Sequence, residues 1–177
     1  MGFDRSCKVQ IHVGGVYGDK IGSMRRFVKR FRALDPSISR RIVIENDERL
    51  FGLEDCLSVH EEVGVPVVLD TLHYALFNNG DPLISAVRRA AATWMKDDGL
   101  PIVDFSLQEE QGRKGRHALT IVPSEFRTFL LQTTSIDFDI MLEIKDKERS
   151  AIEAIRIARK DPRFMKPVTR CGKVTER

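Results

Sequence analysis

RIVIENDERLFGLEDCLSVHEEVGVPVVLD, Arg41–Asp70, is the stretch that decides the fold. It opens on a short β-branched run, Ile42 to Glu45 (IVIE), and closes on another, Val67 to Asp70 (VVLD). Between them Leu53 to Val63 reads as a helix, stopped by Gly64 and Pro66. Both runs are too apolar to be half-solvated strands, so the unit predicts two parallel strands with a helix covering their face. Both strands also end on a carboxylate, Glu45 and Asp70.

The same pattern continues in both directions. Towards the N-terminus, Val9 to Val13 (VQIHV) is a strand, and Asp19 offers an N-cap. Met24, Phe27, Val28 and Phe31 then fall on one helical face, with Arg25, Arg26, Lys29, Arg30 and Arg32 on the other as a solvated surface. Towards the C-terminus, Asp81-Pro82 opens a helix running to about Met95, and Ile102 to Phe105 (IVDF) is a strand. Pro123 starts a helix through Phe126, Phe129 and Leu130, and Ile140 to Ile144 (IMLEI) is the fifth strand. Asp146 caps a last helix carrying Ile152, Ile155 and Ala158. Five consecutive βα units over residues 1–161 fit either a doubly wound open sheet or part of a (β/α)8 barrel. Residues 162–177 read as a basic, flexible tail. Gly14, Gly15 and Gly18 lack the spacing of a nucleotide-binding turn and read as a tight βα connection.

Bulk properties narrow the class. The 177 residues suffice for one domain, and 42% apolar with 31% charged residues is the balance of an ordinary globular protein. Apolar runs reach only four or five residues, so no membrane span is expected, and the polar N-terminus shows no secretion signal. Cys7, Cys56 and Cys171 are scattered, which fits a reducing cytoplasm and excludes a thiolate zinc site. A net charge of +3 neither requires nor excludes nucleic acid.

The chemistry lies at the strand ends. His12, Glu45, Asp70, Asp104 and Glu143 place one metal-capable group at or near the C-terminal end of each strand, where parallel α/β folds build their sites. His73 and His117 follow in loops. Three histidines and four carboxylates, without a thiolate, suit Mn²⁺, Mg²⁺ or Zn²⁺ in a hydrolytic site. Seven ligands would overfill one ion, so two or three ions are expected, clamping both oxygens of an in-line phosphoryl displacement. Arg113, Lys114 and Arg116, just before His117, offer DNA phosphates a contact at the rim, although a solvated charge run is an equal reading. His60, in mid-helix, reads as surface.

At IHVGGVYGDK (Ile11–Lys20), RIVIENDE (Arg41–Glu48), VPVVLDTLHYAL (Val65–Leu76), DFSLQ (Asp104–Gln108), GRHA (Gly115–Ala118) and DIMLEIKDKE (Asp139–Glu148) the chain resembles the UV damage endonuclease family. The resemblance implies the C-terminal five-eighths of a TIM-type barrel, with His12, Glu45, Asp70, His73, His117 and Glu143 as metal ligands. It implies a DNA repair endonuclease that cuts 5′ to UV photoproducts in double-stranded DNA with Mn²⁺ or a similar ion, acting in the cytoplasm on the nucleoid. In bacterial members the fourth strand often reads Lys-x-His; here Ile102 and Asp104 stand in those places, and only Asp104 can coordinate. The family's first βα units, which supply further ligand and lesion-probing residues, have no counterpart. Two open sheet edges are therefore expected to give marginal stability, with an N-terminal barrel half or self-association completing the fold. A xylose-isomerase-like sugar isomerase or epimerase and an inactive fragment serving as an assembly module are the competing readings.

Overall fold

The computed structural model describes residues 5–165. Its strands are β1 (Val9–His12), β2 (Ile42–Glu45), β3 (Val67–Asp70), β4 (Ile102–Phe105) and β5 (Asp139–Leu142). The helices are α1 (Lys20–Arg32), α2 (Pro36–Ser39), α3 (Leu53–Val63), α4 (Thr71–Leu76), α5 (Leu83–Ala91), α6 (Pro123–Gln132) and α7 (Glu148–Ala158). All neighbouring strands pair in parallel, in the order β1-β2-β3-β4-β5. A doubly wound sheet must reverse its strand order at a switch point, whereas a barrel adds each new strand on the same side. The order here is that of a partial (β/α)8 barrel.

Strand residues alternate between two faces. Ile44, Val67, Leu69, Val103 and Phe105 point outward into one apolar layer with Cys56 and Val59 of α3, Val87 and Ala90 of α5, and Phe126 and Phe129 of α6. Phe105 lies 5.0 Å, ring to ring, from both Phe126 and Phe129. The opposite face carries Gln10, His12, Glu45, Asp70 and Asp104, so the parity that buries the core also aims the polar residues inward.

Local chemistry sets the element ends. Asp19 accepts from the Gly22 backbone N–H at 2.9 Å to start α1, and Gly64 closes α3 with φ 69°, a left-handed conformation that glycine adopts without Cβ strain. Several boundaries differ from those the sequence predicts. β1 stops at His12, and β5 ends at Leu142, so Glu143 stands one residue beyond its strand. α5 ends at Ala91 rather than near Met95. There Thr93 donates to Ala90 O (2.6 Å) and accepts from Val67 N (2.8 Å), and Trp94 Nε1 donates to Val67 O (2.8 Å), which draws the chain onto the start of β3. Lys147, at φ 48°, rather than Asp146 holds the position just before Glu148, and the Asp146 carboxylate serves the first turn of α7 from one residue earlier, accepting from the Ser150 hydroxyl and backbone N–H. His60 is half-buried rather than surface, its Nδ1 bonded to Val65 O at 2.9 Å. The tail expected at 162–177 lies, from residue 166 on, outside the described residues, as does Cys171.

A charged clamp closes the lower end of the sheet. The Lys8 and Asp98 side chains are each only 2% exposed and pair at 2.5 Å. Lys8 Nζ also donates to Arg40 O at 2.9 Å and sits 5.7 Å over the Trp94 ring. Arg5 adds a second bond to Asp98 at 2.7 Å. Burial alone would raise the Asp98 carboxyl, but the bonds from Lys8 and Arg5 outweigh it and hold it below its ordinary value. The clamp joins the chain just before β1 to the turn before β4, which fixes the relative height of two strands that do not touch.

Candidate metal centre

The register explains how five strand ends reach one place. His12 lies opposite Glu45, and Glu45 opposite Val68, two residues short of Asp70. Asp70 lies opposite Asp104, and Asp104 opposite Met141, two short of Glu143. The ring of residues therefore climbs by none, two, none and two positions, an average of one residue per strand. That is the stagger of an eight-stranded barrel of shear about 8, so the ring lies level about the barrel axis.

Three carboxylates form the floor. Glu45, Asp70 and Asp104 are buried, and one oxygen from each lies within 4.8 Å of the others. Asp70 Oδ1 accepts from the His73 backbone N–H at 2.7 Å and caps α4. Asp70 is held in turn by Asn46, whose side chain accepts from Asp70 N (2.9 Å) and donates to Asp70 O (3.1 Å). The Gln10 amide donates to Glu45 Oε2 and to Asp104 Oδ2. Asp70 Oδ2 and Asp104 Oδ1 remain buried with no hydrogen-bond partner among the described residues. Bare, buried carboxylate oxygens are costly unless a cation meets them, and an all-oxygen floor suits a hard divalent ion. The residues fit a metal.

Histidines form the wall. His12, at the exposed mouth, brings Nε2 to 3.0 Å from Glu45 Oε1. His73 is buried, with Nδ1 3.0 Å from Asn46 O and 3.6 Å from Asp70 Oδ2. His117 Nδ1 lies 2.8 Å from Glu143 O and 2.9 Å from the Ser106 hydroxyl, and 3.7 Å from Glu143 Oε2. Donation from Nδ1 to a backbone carbonyl fixes the tautomer of both rings and leaves each Nε2 with a free lone pair, the state a metal ligand requires. The His12 and His73 rings are 6.0 Å apart, and His73 and His117 5.9 Å. All seven residues singled out from the sequence thus adjoin one another through these contacts. Gln10, Asn46, Ser106 and Glu48, the last 3.9 Å from His73 Nε2, belong to the same site and carried no sequence signal beyond their place beside it.

The electrostatics follow from this crowding. Burial pushes Asp104 up to about 8, against the Gln10 hydrogen bond and with the charges of Glu143, Glu45 and Asp70 adding to the rise. Burial likewise raises Asp70 despite His73, and raises Glu143 together with the charges of Asp70 and Glu45. An acid whose folded pKa lies above its unfolded one stabilises the fold fully below the unfolded value and loses that contribution as pH rises through the folded value. In EDTA, thermal stability should therefore fall as pH rises from about 4 towards about 8. Mn²⁺ should remove the fall, because the ion replaces the proton. Melting curves at a series of pH values check this; a stability that rises with pH in EDTA would contradict it.

Beside the site, Gln108 and His117 close a hairpin that carries Arg113, Lys114 and Arg116, all exposed. It leans on the rim at Gly115, φ +81°, where a Cβ would sit 3.0 Å from Glu48 Cγ. Arg116 pairs with Glu109 at 2.5 Å, whereas no carboxylate among the described residues pairs with Arg113 or Lys114. Cys56, under Glu45, is buried, its thiol pushed up by burial and bonded to Glu45 O at 3.4 Å, so it takes no part as a nucleophile.

The model of the UV-endonuclease UvdE family matches residues 1–174. A UV DNA damage endonuclease of Clostridium perfringens is 38% identical over 154 residues, 86% of this chain and 37% of its own length. One of Bacillus velezensis is 31% identical over 159 residues, 88% of this chain and 49% of its own. The crystal structure of SacUVDE superposes with a TM-score of 0.82 at 41% identity, covering 89% of this chain and 53% of that one. The chain therefore spans about half the length, or less, of these relatives.

Proposed function

The chain belongs to the UV-endonuclease UvdE family, and from that premise we propose that it supplies the metal-holding part of a DNA repair endonuclease that hydrolyses the phosphodiester 5′ to UV photoproducts. The observation that carries this reading is the level ring of four carboxylates and three histidines at the C-terminal mouth of the partial barrel, with two carboxylate oxygens left bare. In this reading Glu45, Asp70 and Asp104 hold two or three divalent ions from below, Mn²⁺ foremost and Mg²⁺ or Zn²⁺ by the same donors. His12, His73, His117 and Glu143 close the coordination from the sides. Bound ions would activate a water and stabilise the attacking and leaving oxygens of the displacement. The protein's own part is to hold its donors still: Asn46 and the α4 N-terminus orient Asp70, and backbone carbonyls orient His73 and His117.

DNA phosphates meet the hairpin at the rim. With Arg116 engaged by Glu109, Arg113 and Lys114 bear most of that contact. Arg113→Ala or Lys114→Ala should lower affinity for any duplex alike and reduce the salt slope by about 0.9 per charge removed. Arg116→Ala should do less. Filter binding at several salt concentrations checks this, and an unchanged slope in Arg113→Ala would remove the hairpin from the interface. No helix among the described residues is long and apolar enough to cross a membrane, and a DNA substrate would place the working enzyme at the nucleoid.

An N-terminal barrel half completes the fold in this reading. The support is an apolar groove of ≈ 790 Å³ along β5 and α7, lined by Leu100, Phe126, Phe138, Ile140, Ile155 and Met165, together with the open edges of β1 and β5. The deciding experiment is nicking of irradiated and unirradiated plasmid with Mn²⁺, with and without the N-terminal half of the Clostridium perfringens relative. Cutting of irradiated DNA only in the presence of that half supports the reading. Strong lesion-selective cutting by the chain alone would show that its recognition elements lie within these residues. No cutting under any condition would favour an assembly module.

A further inference from the structure

One side chain in the floor of the site does more than fill space. Gln10 lies two residues before His12 on β1, so it faces inward one layer beneath the ring. Its Nε2 donates to Glu45 on β2 and to Asp104 on β4, so a single amide joins three strands. The orientation is forced by chemistry. An amide NH₂ carries two hydrogens and can serve two carboxylates at once, whereas its oxygen turned towards them would set acceptor against acceptor once both acids are ionised to hold a cation. Gln10 Oε1, pointing away, is buried with no partner among the described residues, a cost that makes sense only if the two donations matter.

The result is a division of labour between oxygens. Glu45 has one oxygen tied to Gln10 and the other facing His12 Nε2 at 3.0 Å. Asp104 has one oxygen tied to Gln10 and the other bare. Asp70 reaches the same state by another route, with one oxygen tied to the α4 N-terminus and one bare. Asn46 and the helix cap orient Asp70, but among the described residues the only hydrogen bond to the Asp104 carboxylate comes from Gln10.

We propose that Gln10 is the positioning residue that turns Asp104, and with it Glu45, into one-oxygen ligands for a divalent cation. The proposal rests on the metal reading above. A purely structural Gln10 would merely relieve repulsion between two acids; a positioning Gln10 acts on metal affinity through Asp104. The two roles separate in a double-substitution cycle on the full 177-residue chain, read by Mn²⁺ calorimetry and by thermal melting in EDTA. Gln10→Met keeps the bulk and removes the donors, and should weaken Mn²⁺ binding by about 10- to 100-fold. In the Asp104→Asn background the same change should cost little further affinity. Should Gln10→Met fail to fold, Gln10→Asn, one methylene too short to span both acids, should give the same loss with the fold intact. Unchanged affinity in Gln10→Met would overturn the proposal and leave the metal reading standing. So would full additivity with Asp104→Asn, which would mean that Gln10 does not act through Asp104. A wild-type chain that binds no Mn²⁺ would overturn both.

Discussion

Glu45→Gln should slow divalent-metal-dependent nicking by at least about a hundredfold, with the fold retained. Glu45 is 8% exposed at the end of β2, between His12 Nε2 at 3.0 Å and the Gln10 amide, and one of its oxygens belongs to the close triad with Asp70 and Asp104. Glutamine keeps the shape and the reach but replaces a charged donor with a neutral amide: its oxygen can still accept from Gln10, while its NH₂ takes the place of the oxygen that faces His12 and offers a cation no lone pair. The floor then loses one of three negative charges just where a divalent ion needs them. Affinity and rate should fall together, so excess Mn²⁺ restores only part of the activity. Glu143→Gln, at the half-buried edge of the ring, should follow the same pattern. The measurement is the single-turnover nicking rate of irradiated plasmid, with the N-terminal half supplied, against Mn²⁺ concentration. A Glu45→Gln variant cutting at close to the wild-type rate would take Glu45 out of the site.

Asp98→Ala should cost about 3–5 kcal/mol of folding stability, a large share of what a domain of this size possesses. The substitution removes the partner of a Lys8 ammonium that is 2% exposed and leaves it, among the described residues, Arg40 O and the Trp94 ring. A buried ammonium without a counter-ion is far costlier than the pair is valuable, so the double change Lys8→Met with Asp98→Leu should recover most of the loss. The pH sign is opposite to that of the metal floor. Asp98 is held below its ordinary value, so its contribution is present above that value and is lost as pH falls through the depressed one. Urea unfolding of the single and double variants checks both points; a double variant as unstable as Asp98→Ala would mean that packing rather than charge dominates there. The clamp also bears on function. It sets the height of β1 against β4, and so of Gln10 against Asp104, which predicts weaker Mn²⁺ binding in Asp98→Ala even where the protein is still folded.

Much of this molecule is legible in the chain itself. β2, β3 and β4 fall where IVIE, VVLD and IVDF place them, because strand propensity, apolar runs and Gly-Pro stops are local properties. His12, Glu45, Asp70, Asp104 and Glu143 stand out for the same reason: a polar residue that ends an apolar strand is visible without knowing what it faces. Local reading loses accuracy where a distant segment decides. Thr93 and Trp94 end α5 by bonding Val67, and α4 exists because Asp70 caps it, which the run TLHYAL does not announce.

What only the tertiary structure decided is which polar residues act together. A glutamine in VQIH and an asparagine in IEND look like ordinary strand and loop residues. Gln10 gains its place from Glu45, 35 residues away, and from Asp104, 94 away, and Lys8 from Asp98, 90 away. The same holds for the level ring, which depends on a stagger of about one residue per strand, a property of the register and twist of the whole sheet rather than of any strand alone. The sequence by itself determined the strands, their carboxylate and histidine ends, and the family to which they are similar. The pairing of inward faces across strands decided the rest, because side-chain parity and inter-strand register are fixed only when separate segments share one sheet.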